Sequence, residues 1–149
     1  MINAAIVGMG RWGQTLVNSV AGSSDVITFV AGNTRTPSKV VDYAAEKGIK
    51  LHSSYEDVLA DDNVDALVLA SPHSVHFDQI MAAADAGKHV FCEKPFCLNA
   101  ADARTALDAL ASKGLKVAIG HNRRFSPNAI KLKEMIDSGE LGDMIQIEG

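Results

Sequence analysis

The 149-residue sequence is poor in cysteine, basic charge and long apolar runs. Its two cysteines, Cys92 and Cys97, are spaced neither as a C-x-x-C redox pair nor as a structural zinc site, and we interpret them as free thiols in a reducing cytoplasm. No cluster of His, Asp, Glu or Cys has metal-ligand spacing. The net charge of −4 gives no support for nucleic-acid binding. No apolar run is long enough to cross a membrane, and we expect no secretory signal. The length allows one well-buried domain, and we expect a cytoplasmic protein.

Apolar runs alternate with helix-forming stretches along most of the chain. The runs predict strands at 4–7, 26–30, 49–51, 66–69, 89–92 and 116–119. The stretches between them predict helices at about 11–21, 37–47, 55–60, 74–86 and 100–113. Strands joined by helices in this way form a doubly wound parallel α/β sheet, and two β-α halves predict the Rossmann strand order 3-2-1-4-5-6.

The last part of the chain has a different pattern. Residues 128–138 predict one more helix, and residues 144–148 alternate apolar and polar like a strand with one buried face. This seventh strand has no later strand to pair with. We therefore expect a dinucleotide-binding domain over 1–125, followed at 126–149 by the crossover helix and first strand of a second, α+β domain that is truncated.

A glycine turn, Gly8-Met9-Gly10-Arg11-Trp12-Gly13, follows the first strand and opens a helix. In a G-x-G-x-x-G turn the first glycine permits the tight turn, the second lets the backbone approach a pyrophosphate, and the third lets the helix pack on the strand. The phosphate then lies on the N–H groups of the helix N-terminus. This context predicts a dinucleotide site that includes Arg11 and Trp12, although Trp12 also suits a packing role.

The end of the second strand predicts which dinucleotide is bound. NAD sites usually carry Asp or Glu about twenty residues after the glycines. Here residues 26–39 contain no acid, and the segment Asn33-Thr34-Arg35 stands at that place. Arg35 can pair with a 2′-phosphate, which favours NADP, with NAD possible. The alternative is that Arg35 is a solvated loop residue.

Two later segments carry a specific resemblance. Residues 64–76 contain Ser71-Pro72-His73 and then His76, and residues 86–95 run from Gly87-Lys88-His89-Val90 to Glu93-Lys94-Pro95. They resemble the Gfo/Idh/MocA oxidoreductase family, named for glucose–fructose oxidoreductase and inositol dehydrogenase, in which Thr-Pro-Asn is usual at 71–73. The resemblance extends through residues 121–125 and 138–143.

The resemblance implies roles for individual residues. Lys94 would lie beside the nicotinamide and hydrogen-bond the substrate hydroxyl, while Glu93 positions the cofactor or the lysine. Arg124 would lie at the substrate edge. The nicotinamide side of the cofactor groove would be lined by Ser71, Pro72, His73 and His76. From the residues themselves, we expect Lys94 to be partly desolvated near the positive nicotinamide and therefore ready to release a proton.

The family oxidises sugar or cyclitol hydroxyls, or reduces the ketones, and uses a proton-transfer histidine in a second domain that has no counterpart here. The first hypothesis is therefore the nucleotide-binding half of an NAD(P)-dependent sugar or polyol dehydrogenase, a homo-oligomer when complete. The second is a non-catalytic dinucleotide sensor. Lys94 favours the first, and the missing proton-transfer residue favours the second. A purely structural α/β module is disfavoured by the glycine turn.

Overall fold

The computed structural model describes residues 1–148. Its strands are β1 Ile2–Val7, β2 Ile27–Asn33, β3 Lys50–Leu51, β4 Ala66–Leu69, β5 His89–Cys92 and β6 Val117–Ile119. All neighbouring strands are parallel and lie in the order β3-β2-β1-β4-β5-β6. The predicted Rossmann order is confirmed, including the switch point between β1 and β4, where the order in which strands are added to the sheet reverses.

Five helices lie between successive strands, and a sixth follows the last strand. They are α1 Arg11–Val20, α2 Val41–Glu46, α3 Tyr55–Leu59, α4 His76–Asp85, α5 Ala100–Ser112 and α6 Pro127–Asp137. Two helices predicted as continuous, at 37–47 and 74–86, instead begin with separate 3-10 turns at Pro37–Lys39 and His73–Val75. Such turns are frequent at helix N-termini. Across residues 1–148, no helix combines the length and apolar character that a membrane crossing needs.

Both faces of the sheet are apolar, as expected for parallel strands covered by helices on each side. Alternate residues of one strand enter different cores: Ile6 packs with Met9 and Val17, whereas Val7 packs with the cluster that contains Leu67 and Ile80. Burial on both faces explains why the strands have continuous apolar sequences. It also fixes the sheet firmly beneath the loops at its carboxyl edge.

The second strand is longer than the sequence predicts. It continues past Val30 to Asn33, because Ala31–Asn33 pair with Ala5–Val7 after a register shift between Ala4 and Ala5. This extension aligns the end of β2 with the end of β1. Asn33 therefore lies at the carboxyl edge of the sheet.

Residues 144–148, where the sequence predicts a strand that needs a partner, form no strand within the described residues, and the strand stays a prediction. No regular structure forms there, and Ile145 is 97% exposed. A strand needs a neighbour for its backbone N–H and C=O groups, and residues 1–148 offer none to this segment. Residue 149, the end of the predicted second-domain segment, lies outside the described residues.

Candidate functional site

The strand ends converge at one edge of the sheet. The backbone registers align Val7 with Asn33 and Leu69, and Leu69 in turn with Cys92. A groove of about 890 Å³ opens there, above the point where the strand order reverses. That volume lies in the range of small-molecule sites, and the switch point of a doubly wound sheet is where ligands bind. The groove is lined by Val7, Gly8, Gly10, Asn33, Thr34, Arg35, Thr36, Ala70, Ser71, Pro72, Ser74, Val75 and Gln79.

The three glycines of the turn have three different surroundings. Gly8 has φ +92°, and a Cβ there would lie 2.6 Å from the carbonyl oxygen of Ala70. A Cβ at Gly13 would collide with the carbonyl oxygen of Gly8, so this glycine lets α1 pack on β1. Gly10 differs, because a Cβ there would meet no protein atom within 4 Å. Folding therefore requires Gly8 and Gly13, whereas Gly10 leaves open space at the groove.

The N-terminus of α1 is prepared for an anion. Gly10 is its N-cap residue, no side chain caps it, and no acidic residue lies in its first turn. The first N–H groups of the helix are consequently free to donate to a phosphate. Arg11 and Trp12 begin the helix and are exposed at its start, although they do not line the main groove. Trp12 is 44% exposed, which does not fit a core packing role.

The end of β2 forms the second wall of the groove. Asn33 donates its Nδ2–H to the carbonyl oxygen of His52 over 3.1 Å, so its amide nitrogen is already engaged. Thr34 and Arg35 line the groove, and Arg35 is exposed. In residues 1–148 no carboxylate forms an ion pair with Arg35. Its guanidinium is available to an anionic ligand.

The loop after β4 forms the third wall. Ser71 and Pro72 line the groove as predicted, and Ser71 Oγ donates to Gln79 Oε1 on α4. His73 lies in the 3-10 turn before α4 and is exposed, but it is not among the residues that line the main groove. This wall is thus held from below by helix α4.

His76 does not line the groove, and that prediction is wrong. Its ring is completely buried at the first residue of α4. Nε2 lies 3.1 Å from the carbonyl oxygen of Ser71, and Nδ1 lies 2.9 Å from that of Pro95. Because the first turn of α4 faces the core, the ring packs beneath the loops rather than above them.

The loop after β5 carries Lys94. This lysine is exposed, and the Lys94–Pro95 peptide bond is cis. Together with Arg124 it lines a second cavity of about 380 Å³, whose other lining residues are Gly120, His121, Asn122 and Arg123. The structure therefore places Lys94 and Arg124 at the same cavity. The sequence predicts that Lys94 is partly desolvated, but residues 1–148 do not cover its side chain.

Glu93 lies beneath Lys94. Only 7% of its surface is exposed, and its carboxylate accepts a long hydrogen bond, 3.4 Å, from the backbone N–H of Lys94. A Cβ at Gly120 would lie 2.5 Å from Glu93 Oε1, so the absence of a side chain on Gly120 leaves room for the carboxylate. Glu93 is thus placed to support the Lys94 loop.

The cysteines flank this loop as free thiols. Burial raises the pKa of Cys92 to about 12 and also raises the pKa of Cys97. Because the thiolate is the reactive form, we expect both to react slowly with thiol reagents. With Ellman's reagent at pH 8, about one equivalent of thiol, from the partly exposed Cys97, should react before unfolding and Cys92 only after it. Rapid reaction of both thiols in the folded chain would contradict this prediction.

Several groove residues escape the sequence analysis. Val7 and Ala70 are strand-end residues that the switch-point rule alone would have suggested. Gln79 lies on α4, one helical turn after Val75. To predict its place in the groove, one would need to know which face of α4 meets the groove. To identify Gly120, which lines the second cavity, one would need to know that β6 packs beside Glu93, and the sequence carries no signal for this packing.

The parallel order, the glycine turn and the groove at the switch point define a dinucleotide-binding Rossmann domain. The chain matches, over residues 2–121, the Gfo/Idh/MocA model of an oxidoreductase family with an NAD-binding Rossmann fold. It belongs to that family.

Curated relatives and solved structures agree. The chain is 35% identical to the inositol 2-dehydrogenase of Salmonella typhimurium over 99% of this chain and 45% of that protein. It is 34% identical to the scyllo-inositol 2-dehydrogenase (NAD(+)) of Bacillus subtilis, over 99% and 44%. The crystal structure of Lactobacillus casei scyllo-inositol dehydrogenase with bound NAD(H) and scyllo-inositol has a TM-score of 0.88 at 30% identity, over 96% and 43%. The chain therefore spans less than half the length of these relatives.

Proposed function

We propose that this chain is the cofactor-binding half of a dehydrogenase that exchanges hydride between a nicotinamide and a hydroxyl or ketone of a sugar or cyclitol. The observation that carries the proposal is the position of Lys94, which follows β5 and lines a cavity with Arg124 beside the cofactor groove. The names of the inositol dehydrogenase relatives support a polyol as the substrate class. A substrate-binding half that follows residue 125 would enclose the cavity.

The chain's residues divide the work between two loops. When bound, the nicotinamide accepts or supplies the hydride. Lys94 Nζ would form a hydrogen bond with the substrate oxygen, both in the ketone form and in the alcohol form. Glu93 would fix the Lys94 backbone from beneath through its carboxylate. Arg124, which lines the same cavity, would bind other substrate oxygens.

The activity test uses the complete polypeptide with NAD+ or NADP+ and a panel of inositols and aldoses. Formation of reduced nicotinamide with one of these polyols supports the proposed function. Tight cofactor binding without turnover of any polyol or aldose would instead favour a dinucleotide sensor.

We further infer that NADP is the preferred cofactor. Arg35 lines the groove without an ion-pair partner in the described part of the chain, and no carboxylate in residues 26–39 would repel a 2′-phosphate. NAD is the alternative, since one of the relatives carries NAD(+) in its name. The two cofactors differ only at the ribose phosphate, so Arg35 is the residue that would discriminate between them.

A titration of this chain with NADPH and NADH tests the preference. Trp12 is the single tryptophan and lies beside the glycine turn, so its quenching by the reduced nicotinamide reports binding. We expect Arg35→Ala to weaken NADPH binding by about 10- to 100-fold, since a charge-assisted hydrogen bond contributes about 1.5–3 kcal/mol. NADH binding should change little.

Lys39→Ala is the matched control, because Lys39 is an exposed cation on the following 3-10 turn and does not line the groove. It should leave both affinities unchanged. If wild-type chain binds NADH as tightly as NADPH, the inferred preference for NADP is wrong.

A further inference from the structure

The loop after β4, which lines the cofactor groove, and the loop after β5, which carries Lys94, meet at one buried side chain. His76 has 0% of its surface exposed, and each ring nitrogen faces a backbone carbonyl from a different loop. Ser71 belongs to the loop after β4, which lines the cofactor groove. Pro95 belongs to the loop after β5 and directly follows Lys94. One imidazole ring therefore contacts both the loop that lines the cofactor groove and the loop that carries Lys94.

The chemistry of the ring limits how it can serve both carbonyls. A neutral imidazole has one N–H and donates to one acceptor, whereas a doubly protonated ring donates to both. The groups that face the ring are the thiol of Cys92 from β5, 3.3 Å from Nδ1, and the ring of His73, at a centroid distance of 5.7 Å. Within residues 1–148 no carboxylate forms an ion pair with this ring. Every polar neighbour of His76 thus belongs to one of the two loops or to the strand between them.

Helix α4 holds the first loop at a second point. Gln79 lies one turn after His76 and accepts the hydrogen bond of the Ser71 hydroxyl, while His76 contacts the Ser71 carbonyl. The backbone carbonyl of Gln79 in turn accepts the hydroxyl of Tyr55 from α3 over 2.8 Å. Ser71 is consequently held on both its side chain and its backbone, but only His76 extends the connection to Pro95.

We propose that His76 is a positioning residue that fixes the Lys94 loop relative to the cofactor groove, with Nε2 of its ring at the carbonyl oxygen of Ser71 and Nδ1 at that of Pro95. We call this pair of contacts, of which a neutral ring makes one as a donor, the bridge. The role of this bridge in turnover rests on the proposed function, because Lys94 must face a bound nicotinamide for its position to matter. The bridge itself does not rest on the proposed function, because it is a property of the folded chain and is measurable without any ligand.

Two substitutions separate the two contacts, and a third removes both. Asparagine places its amide nitrogen near the position of Nδ1, and glutamine places it near that of Nε2. His76→Asn should therefore keep the contact to Pro95 and lose that to Ser71, whereas His76→Gln should do the opposite. His76→Leu loses both. Ile80→Ala is the control, since Ile80 is fully buried one turn further along α4 and belongs to the core rather than to either loop.

Backbone 15N relaxation of this chain reads out the result. In the wild type we expect order parameters near the rigid value of about 0.85 for both loops. His76→Leu should lower both loops toward about 0.6, His76→Asn only residues 71–75, and His76→Gln only residues 94–97. Ile80→Ala should lower thermal stability and leave both loops rigid. Unchanged loops in all variants, or equal loosening of both loops by every substitution including Ile80→Ala, would overturn the bridge.

Kinetics of the complete polypeptide test the consequence. His76→Leu should lower kcat by about 10- to 100-fold, since a misplacement of about 1 Å has costs of that order, and should also weaken cofactor binding because the loop at 71–75 lines the groove. His76→Gln, which loosens only the Lys94 loop, should lower kcat while the cofactor Kd changes little. The single-contact variants should fall between wild type and leucine. If wild-type polypeptide turns over no polyol, the proposed function fails while the relaxation result still decides the bridge. Full turnover in His76→Leu would overturn the positioning role.

Discussion

Replacing Lys94 with methionine is expected to lower kcat of the complete polypeptide by about 100- to 10,000-fold, the range that a positioned acid–base group contributes. Methionine keeps the length of the side chain and removes its charge and donors. Because Lys94 is exposed and lies outside the main cofactor groove, the fold and the cofactor Kd should change little. Steady-state kinetics with saturating cofactor, together with a cofactor titration, measure the two quantities separately.

Lys116→Met is the matched control for this variant. Lys116 is exposed at the amino end of β6, at the edge of the sheet opposite Lys94, and should leave kcat unchanged. Turnover of Lys94→Met at the wild-type rate would remove Lys94 from the catalytic machinery. A parallel loss of cofactor binding and turnover would instead assign it to cofactor binding.

Replacing Gly10 with alanine is expected to weaken cofactor binding by on the order of 100-fold without destabilising the fold. Gly10 has φ −69°, which alanine adopts freely, and the added methyl group meets no protein atom within 4 Å. The methyl would occupy the space through which a pyrophosphate reaches the N–H groups of α1. Loss of two charge-assisted hydrogen bonds at about 1.5 kcal/mol each corresponds to that factor. Cofactor titration and thermal unfolding of the variant check both halves of the prediction.

Gly13→Ala is the contrasting variant within the same turn. Its Cβ would collide with the carbonyl oxygen of Gly8, and both backbones are held by the sheet and helix. We expect a loss of unfolding free energy of about 1–3 kcal/mol or more, as for other overpacked sites. Normal cofactor affinity in Gly10→Ala, or normal stability in Gly13→Ala, would contradict this division between a binding glycine and a folding glycine.

The sheet order was predictable because the information is local. Each strand is a short apolar run, each helix lies between two runs, and right-handed connections leave few topologies. The glycine turn was predictable for the same reason, since Gly8, Gly10 and Gly13 act within one strand–turn–helix unit. The strand at 144–148 stays a prediction, because its alternation describes a buried face, while burial depends on a partner that residues 1–148 do not contain.

His76 shows what local information cannot supply. Its place in the motif indicates a functional histidine, and the sequence says that the residue follows the groove loop. Whether the ring points into the groove or beneath it depends on the phase of α4 relative to the core, which is a tertiary property. Lys94 gives a related lesson: its partly desolvated state requires groups that cover it, and the residues described here leave it exposed.

Between residues 121 and 148 no residue is buried, and α6 contributes none to either core. A chain joined to a different partner domain after Phe125 would lose no interior packing. The groove and the Lys94 loop would thus be inherited intact by any recombinant that exchanges the downstream region. Modules built in this way can be joined to new partner domains through gene fusion while the dinucleotide-binding domain keeps its architecture.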